Sequence, residues 1–260
     1  PGYHFPGLPP GATTSNATAL SADGRVVAGW TNGASSMAPF IWSEGAGRYD
    51  VVSETVSGSV LSPPAAISGD GTTLVGRRGN GEAYRWRGLG TYQVLGFLGQ
   101  HGQTAATGVS GDGAIVVGRA TSFQSSFGEA WRWTQATGMQ GLGFTRAGHI
   151  SSEANGISRD GNVIVGTSRS ASGDTDAFAW TAATGMRILP LLSGADSGEA
   201  SGTNSNGSLI VGYAYDAIGL RTAAMWTLDS LQLLTAPSGW RSWATDLSDD
   251  GSVVLGTLST

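Results

Sequence analysis

One ten-residue phrase recurs along this chain at nearly even intervals, and any fold must accommodate that period. It reads LSADGRVVAG at Leu20–Gly29, ISGDGTTLVG at Ile67–Gly76, VSGDGAIVVG at Val109–Gly118, ISRDGNVIVG at Ile157–Gly166, TNSNGSLIVG at Thr203–Gly212 and LSDDGSVVLG at Leu247–Gly256. The turn residues Asp23, Asp70, Asp112, Asp160, Asn206 and Asp250 stand 47, 42, 48, 46 and 44 residues apart. A period of that size marks a series of similar supersecondary units, none of which can bury its apolar face alone. Function is then to be sought in the array.

A second phrase follows the first. It is Ala-x-x-Trp, at Ala83–Trp86, Ala130–Trp133, Ala177–Trp180 and Ala223–Trp226, with Pro39 in the Ala place before Trp42. Stretches of small residues precede each ten-residue phrase and suit strands crowded around a common axis. The Asp-Gly pair then makes a tight hairpin, because Gly takes the positive φ such turns demand. Its Asp and Ser satisfy turn amides, whereas a calcium loop needs a denser set of about six to eight oxygens. The apolar run, such as Ala114–Val117, reads as a strand buried on both faces. Ala-x-x-Trp is a third strand, and a fourth follows a short turn, as in Thr134–Gly143 and Thr181–Pro190. No segment sustains a helical apolar period, and Gly interrupts every candidate.

Four antiparallel strands in each unit of about 45 residues is the pattern of a propeller blade. The expected fold is therefore all-β, one domain over residues 1–260, a six-bladed β-propeller of four-stranded antiparallel blades. The segment Tyr3–Phe5 matches the fourth strand of other units and is expected to close the ring by pairing into the blade of Ser252–Leu255. No Ala-x-x-Trp follows Gly256, so that last blade lacks a strand. Either the chain was cut from a longer protein that supplies it, the favoured account, or the last blade is thin.

Composition narrows the function classes. Gly is 42 of 260 residues and only 13% are charged, which fits many tight turns, while 40% hydrophobic residues and nine Trp argue against disorder. All 14 basic residues are Arg, and 19 acidic ones leave a net charge of −5. The one basic group, Arg77, Arg78, Arg85 and Arg87, reads as a solvated strand face, and nucleic acid is not an expected partner. There is no Cys to form a disulfide. No apolar run reaches the roughly 18 residues of a transmembrane helix. The opening PGYHFPGLPPG lacks the charged start and apolar stretch of a signal peptide, so any such peptide is expected to have been removed.

Connections within each hairpin are short, whereas those between second and third strands, and between units, are long and variable. Both long sets should emerge on one face, where binding residues concentrate. Phe123, Phe127, Tyr213, Tyr215 and Trp240, with Arg241 beside it, are the partner-binding candidates there. The alternative is that these aromatics fold back over the blades. His101 and His149 recur at similar places, but without Cys or a carboxylate set they read as solvated loop residues; no metal or cofactor is expected. No G-x-S-x-G, H-E-x-x-H or phosphate-cradling loop occurs. The Arg cluster, Tyr and paired carboxylates of a sialidase-like site are not expected to assemble from small-residue first strands. A glycan-active enzyme would draw on Glu153 and Glu199, which occupy matching places in successive units.

The pairing of S-x-D-G-x-V-V-G with A-F-x-W, and the following T-x-A-T-G-M, resembles the bacterial extracellular repeat family named for its HAF tripeptide. DAFAW at Asp176–Trp180 is the nearest match, with Asp176 in the His place, and EAYRW at Glu82 and EAWRW at Glu129 are variants. The resemblance runs from about Gly7 to Gly256. It implies an extracellular or surface-displayed bacterial protein, an autotransporter passenger with an outer-membrane barrel downstream. Its implied role is adhesion or binding, with protein or glycan of a host cell or matrix as partner. A secreted glycan-active enzyme and a structural spacer are the alternatives.

Overall fold

The computed structural model describes residues 8, 11–33, 37–45, 48–51, 61–88, 91–122, 127–216 and 218–260, and every regular element among them is a strand. The first repeat holds β1 (Ala12–Leu20), β2 (Val26–Gly33), β3 (Met37–Ser43) and β4 (Arg48–Val51). The second holds β5 (Ala66–Ile67), β6 (Thr73–Arg77), β7 (Ala83–Arg87) and β8 (Thr91–Gly96). The third holds β9 (Gln103–Val109), β10 (Ile115–Thr121), β11 (Gly128–Thr134) and β12 (Gly138–Gly143), and the fourth β13 (His149–Ile157), β14 (Ile164–Ser170), β15 (Thr175–Thr181) and β16 (Gly185–Ile188). The fifth holds β17 (Gly198–Thr203), β18 (Ile210–Tyr215), β19 (Arg221–Trp226) and β20 (Leu231–Leu233), and the sixth β21 (Arg241–Leu247) and β22 (Val254–Ser259).

The first five repeats are antiparallel meanders in chain order, and the third and fourth are joined by one parallel bridge between Gly128 and Ser151. Among the described residues the sixth is a two-stranded sheet, and no pairing links it to the first. The expected closing strand, Tyr3–Phe5, lies outside the described residues.

The Asp-Gly turns form as their chemistry requires. Gly24, Gly71, Gly113, Gly161, Gly207 and Gly251 have φ between 70° and 75°. In the third repeat Ser110 Oγ donates to Asp112 Oδ1 at 2.6 Å and accepts the Ile115 amide at 3.0 Å, while Asp112 Oδ1 accepts the Ala114 amide. The same Ser–Asp bond recurs at Ser21, Ser68, Ser158 and Ser248, and Asn204 takes the Ser place in the fifth repeat. These turns also step from repeat to repeat. The amides of Ala22, Asp70, Gly111, Asp160 and Ser205 donate to the carbonyls of Gly69, Gly111, Arg159, Ser205 and Asp249.

The Gly that ends each apolar run has a steric reason. A Cβ on Gly118 would lie 2.0 Å from the Ala105 carbonyl oxygen and 2.6 Å from the Trp131 ring. The aromatic residue after the Ala of the third strand thus lies over a bare backbone. Phe40, Tyr84 and Phe178 do the same over Gly29, Gly76 and Gly166. The Trp of each motif pairs two residues earlier on the second strand, as Trp133 with Val116 and Trp226 with Ile210. From there it seals its repeat against the preceding one. Trp226, fully buried, packs among Ala177, Leu189, Ala200, Ile210 and Ala214 and donates its Nε1 proton to the Pro190 carbonyl at 2.8 Å.

All six first strands contribute to one cavity of about 330 Å³, where Ala19, Ala66, Gly108, Gly156 and Gly202 leave room for close approach. Asp-Gly turns stand at one end of these strands, and the long connections stand at the other. At the turn end Arg159 reaches beyond its neighbours. Its side chain lies over Gly111 and Gly69 of the third and second repeats, and its Nη2 meets Asp249 Oδ2 of the sixth at 2.9 Å.

The basic group of the second repeat is not the solvated face expected. Arg78 and Arg85 are buried; Arg85 lies 4.6 Å above the Trp133 ring and donates to the Gly113 carbonyl, and Arg78 pairs with Glu82. Strand β7 faces a neighbouring repeat, so its guanidinium stacks on that repeat's Trp instead of extending into water.

Candidate functional site

The site lies at the loop-rich end, where second strands of the third, fourth and fifth repeats emerge. The residues one and three places after each run-ending Gly point the same way, as strand alternation dictates. These are Arg119 and Thr121, Thr167 and Arg169, Tyr213 and Tyr215, and all six line the openings described next. Register then brings carboxyls opposite them: Thr167 pairs with Glu153, and Tyr213 with Glu199. Arg119 Nη1 crosses between repeats to Glu153 Oε2 at 3.1 Å.

Arg119, Thr121, Ser151, Ser152, Glu153, Asn155, Thr167, Arg169 and Glu199, with Gly128, enclose a cleft of about 350 Å³. No apolar side chain lines it. Arg169 also borders a larger opening of about 620 Å³, walled by Tyr213, Tyr215, Asp196 and Asp216. Arg169 is exposed and makes no ion pair within 4 Å among the described residues.

The electrostatics of the cleft are coupled. Burial, and then the charge of Glu153, push the Glu199 carboxyl above its ordinary range, while Arg169, Tyr213 and Arg221 pull the other way. Burial and the neighbouring Glu199 push the Tyr213 phenol up to about 12. The Tyr213 hydroxyl donates to Glu199 Oε2 at 3.4 Å, a long bond for two oxygens. Arg221 lies over both Tyr213, at 5.2 Å, and Trp243, at 4.2 Å. Such a group can hold a polar ligand by hydrogen bonds in both senses and by charge.

The structure brings together only some of the residues singled out by sequence. Glu153, Glu199, Tyr213 and Tyr215 converge; the two Tyr rings meet edge to face at 6.0 Å and belong to strand β18, not to a loop. Phe127, 50% exposed, precedes the cleft residue Gly128 without lining the cleft. Trp240 is 38% exposed and Arg241 opens β21, both away from the cleft. Phe123 lies outside the described residues. The expectation that no Arg, Tyr and paired carboxylates could assemble is overturned: Arg119, Arg169, Arg221, Tyr213, Glu153 and Glu199 come from strands or their second partners in three successive repeats.

His149 is likewise not a solvated loop residue. Its side chain is 6% exposed, its Nδ1 lies 2.9 Å from Ser168 Oγ, and its Nε2 is 3.6 Å from the buried Asp176, which Arg146 also grips. This network fastens an inter-repeat loop to β15. His101 is half-buried. Among the described residues no three His, Cys, Asp or Glu side chains stand together as a metal site.

Antiparallel meanders arranged about a common cavity define a β-propeller, and comparison with known proteins supports that class. No family model and no curated protein matches the sequence. Among solved structures, the chain is similar to TolB from Acinetobacter baumannii, with a TM-score of 0.54 at 16% identity over 85% of this chain and 54% of that one. It is similar to a putative TolB from Agrobacterium tumefaciens, with a TM-score of 0.58 at 15% identity over 95% of this chain and 91% of that one. A prolyl endopeptidase chain gives a TM-score of 0.59 at 10% identity over 95% of this chain and 39% of that one. The chain therefore spans about half the length of the Acinetobacter TolB, and identities this low speak for the fold alone.

Proposed function

We propose that the chain is a six-bladed propeller closed by its N-terminal segment, belongs with the HAF-repeat proteins, and acts as a secreted or surface-displayed bacterial binding module that takes a glycan. The observation that carries this reading is the cleft between Arg119 and Glu199, lined by guanidinium, carboxyl, amide and hydroxyl groups and by no apolar side chain. Sugar hydroxyls both donate to and accept from such groups, and the Tyr213 and Tyr215 rings beside them offer faces for stacking. A protein partner would call for a desolvated apolar pocket, which this cleft lacks. Display as an autotransporter passenger, with attachment to host cell or matrix, completes the proposal.

A glycan array followed by calorimetry tests it. Arg169→Ala and Tyr215→Ala should each weaken the selected glycan about tenfold or more while leaving the melting temperature unchanged, since each removes contacts made only with ligand. Undiminished binding in both variants would refute the cleft as the site.

A second reading rests on a separate observation, the elevation of Glu199 by burial and by the charge of Glu153. Two carboxyls in unlike environments are the apparatus of glycoside hydrolysis. Turnover of a glycan that Glu199→Gln and Glu153→Gln abolish would establish it.

A further inference from the structure

Strand β22 is where the repeat pattern stops short. In each of the first five repeats the second strand pairs on both sides, with the first strand and with the Ala-x-x-Trp strand. Among the described residues β22 pairs with β21 alone, so its outer edge presents unpaired amides and carbonyls. Its side chains are also bare: Val253, Leu255 and Leu258 are 63%, 65% and 52% exposed.

Beside that edge is a cavity of about 180 Å³, and its walls can be identified one by one. Trp226 of the fifth repeat is held by Ala177, Leu189, Ala200, Ile210 and Ala214. The residues at the same repeat positions one unit later are Ala223, Leu234, Ala244, Val254 and Leu258, and all five line this cavity. The equivalence is fixed by hydrogen bonds as well as register. Leu189 donates to the Ala177 carbonyl as Leu234 does to that of Ala223, and Ile210 lies opposite Thr203 as Val254 does opposite Leu247. Thr235, also in the wall, follows Leu234 as Pro190, the acceptor for the Trp226 indole, follows Leu189. The third repeat repeats the arrangement, with Trp133 among Ala83, Leu95, Ala106, Val116 and Ala120. Gly256 carries no aromatic ring over it, whereas Gly118 carries Trp131.

We propose that the edge of β22 is a docking site for an extended strand of Ala-x-x-Trp sequence, paired antiparallel with its Trp seated in this cavity opposite Val254. The Ala falls opposite Thr257, and the indole N–H donates to the Thr235 carbonyl. Main-chain bonds along an open edge supply affinity, and the indole pocket supplies selectivity. The chemistry specifies the occupant: a β-forming peptide with a small residue three places before a Trp.

A labelled peptide of the Arg221–Thr227 sequence, which contains a single Trp, is the probe. Binding should saturate, protect the β22 amides from hydrogen exchange, and fall about tenfold or more when the peptide's Trp is replaced by Ala. Leu258→Glu, at a half-exposed wall position, should weaken binding equally while the melting temperature confirms that the variant is folded. Because a free strand pays an ordering cost, the same peptide joined after Thr260 by a Gly/Ser linker provides a second measurement. The Trp form should raise the melting temperature and its Ala form should not. Equal behaviour of the Trp and Ala peptides, no protection of β22, or a dimer formed through β22 that the peptide does not displace would each overturn the proposal.

Discussion

Trp226 and Trp180 hold the same place in their repeats, yet Trp226 is fully buried whereas Trp180 keeps part of its ring in solvent. Trp226→Ala should therefore cost about 3–5 kcal/mol and Trp180→Ala measurably less, as read by denaturant unfolding of the two variants. The position is legible in sequence, because a Trp recurring at fixed distance from a turn must face something that recurs too. How deeply each ring is covered is not, since that depends on the size of side chains one repeat away. Glu199 shows a related limit. Its burial and its proximity to Glu153 arise only when two repeats are set side by side. A carboxyl whose folded pKa lies above its unfolded value penalises the fold once it ionises, so the loss of stability grows as pH rises through that interval. Glu199→Gln should accordingly melt higher than the parent at pH 7, with the difference vanishing toward pH 4; thermal melts across that range check the sign.

At the scale of elements, the hairpin turns were almost wholly readable. Each needs a positive φ, an acceptor for a free amide and a hydroxyl to bridge, and Gly, Asp and Ser supply these in a fixed order. In the turns of Asp23, Asp112 and Asp250 the Ser hydroxyl and a main-chain amide hold the carboxyl below its ordinary range, for Asp250 at about 2. Burial opposes the same bonds at Asp70 and Asp160 without reversing the direction. Carboxyls with depressed folded pKa stabilise the fold above their unfolded value near 3.8, and that contribution is lost as pH falls toward 2. Ser110→Ala, which deprives both Asp112 and the Ile115 amide of a partner in a buried turn, should cost about 1–2 kcal/mol at pH 7 and raise the pH of acid unfolding. Circular dichroism during acid titration would show it. The cleft was far less legible than the turns. Its outward positions follow run-ending Gly residues at one and three places, a pattern that can be written down, but Arg119, Arg169 and Glu199 belong to different repeats and no spacing announces that they meet.

For the whole molecule, cohesion comes from each repeat packing on the one before, so stability is a chain of neighbouring interfaces. Repeats with neighbours on both sides should exchange their amides slowest, and the bare strand β22 fastest. Hydrogen exchange resolved by strand should show β14 and β18 protected beyond β22, and equal protection throughout would contradict a nearest-neighbour account. The Arg159 side chain departs from that rule, since it touches the second, third and sixth repeats from the fourth. A guanidinium laid across the turn end, above the space that all six first strands share, makes that space a blind well with a single entrance. A solute can then reach the small residues along its wall only by passing the charged groups of the loop-rich rim, which thereby act as the filter for anything that enters.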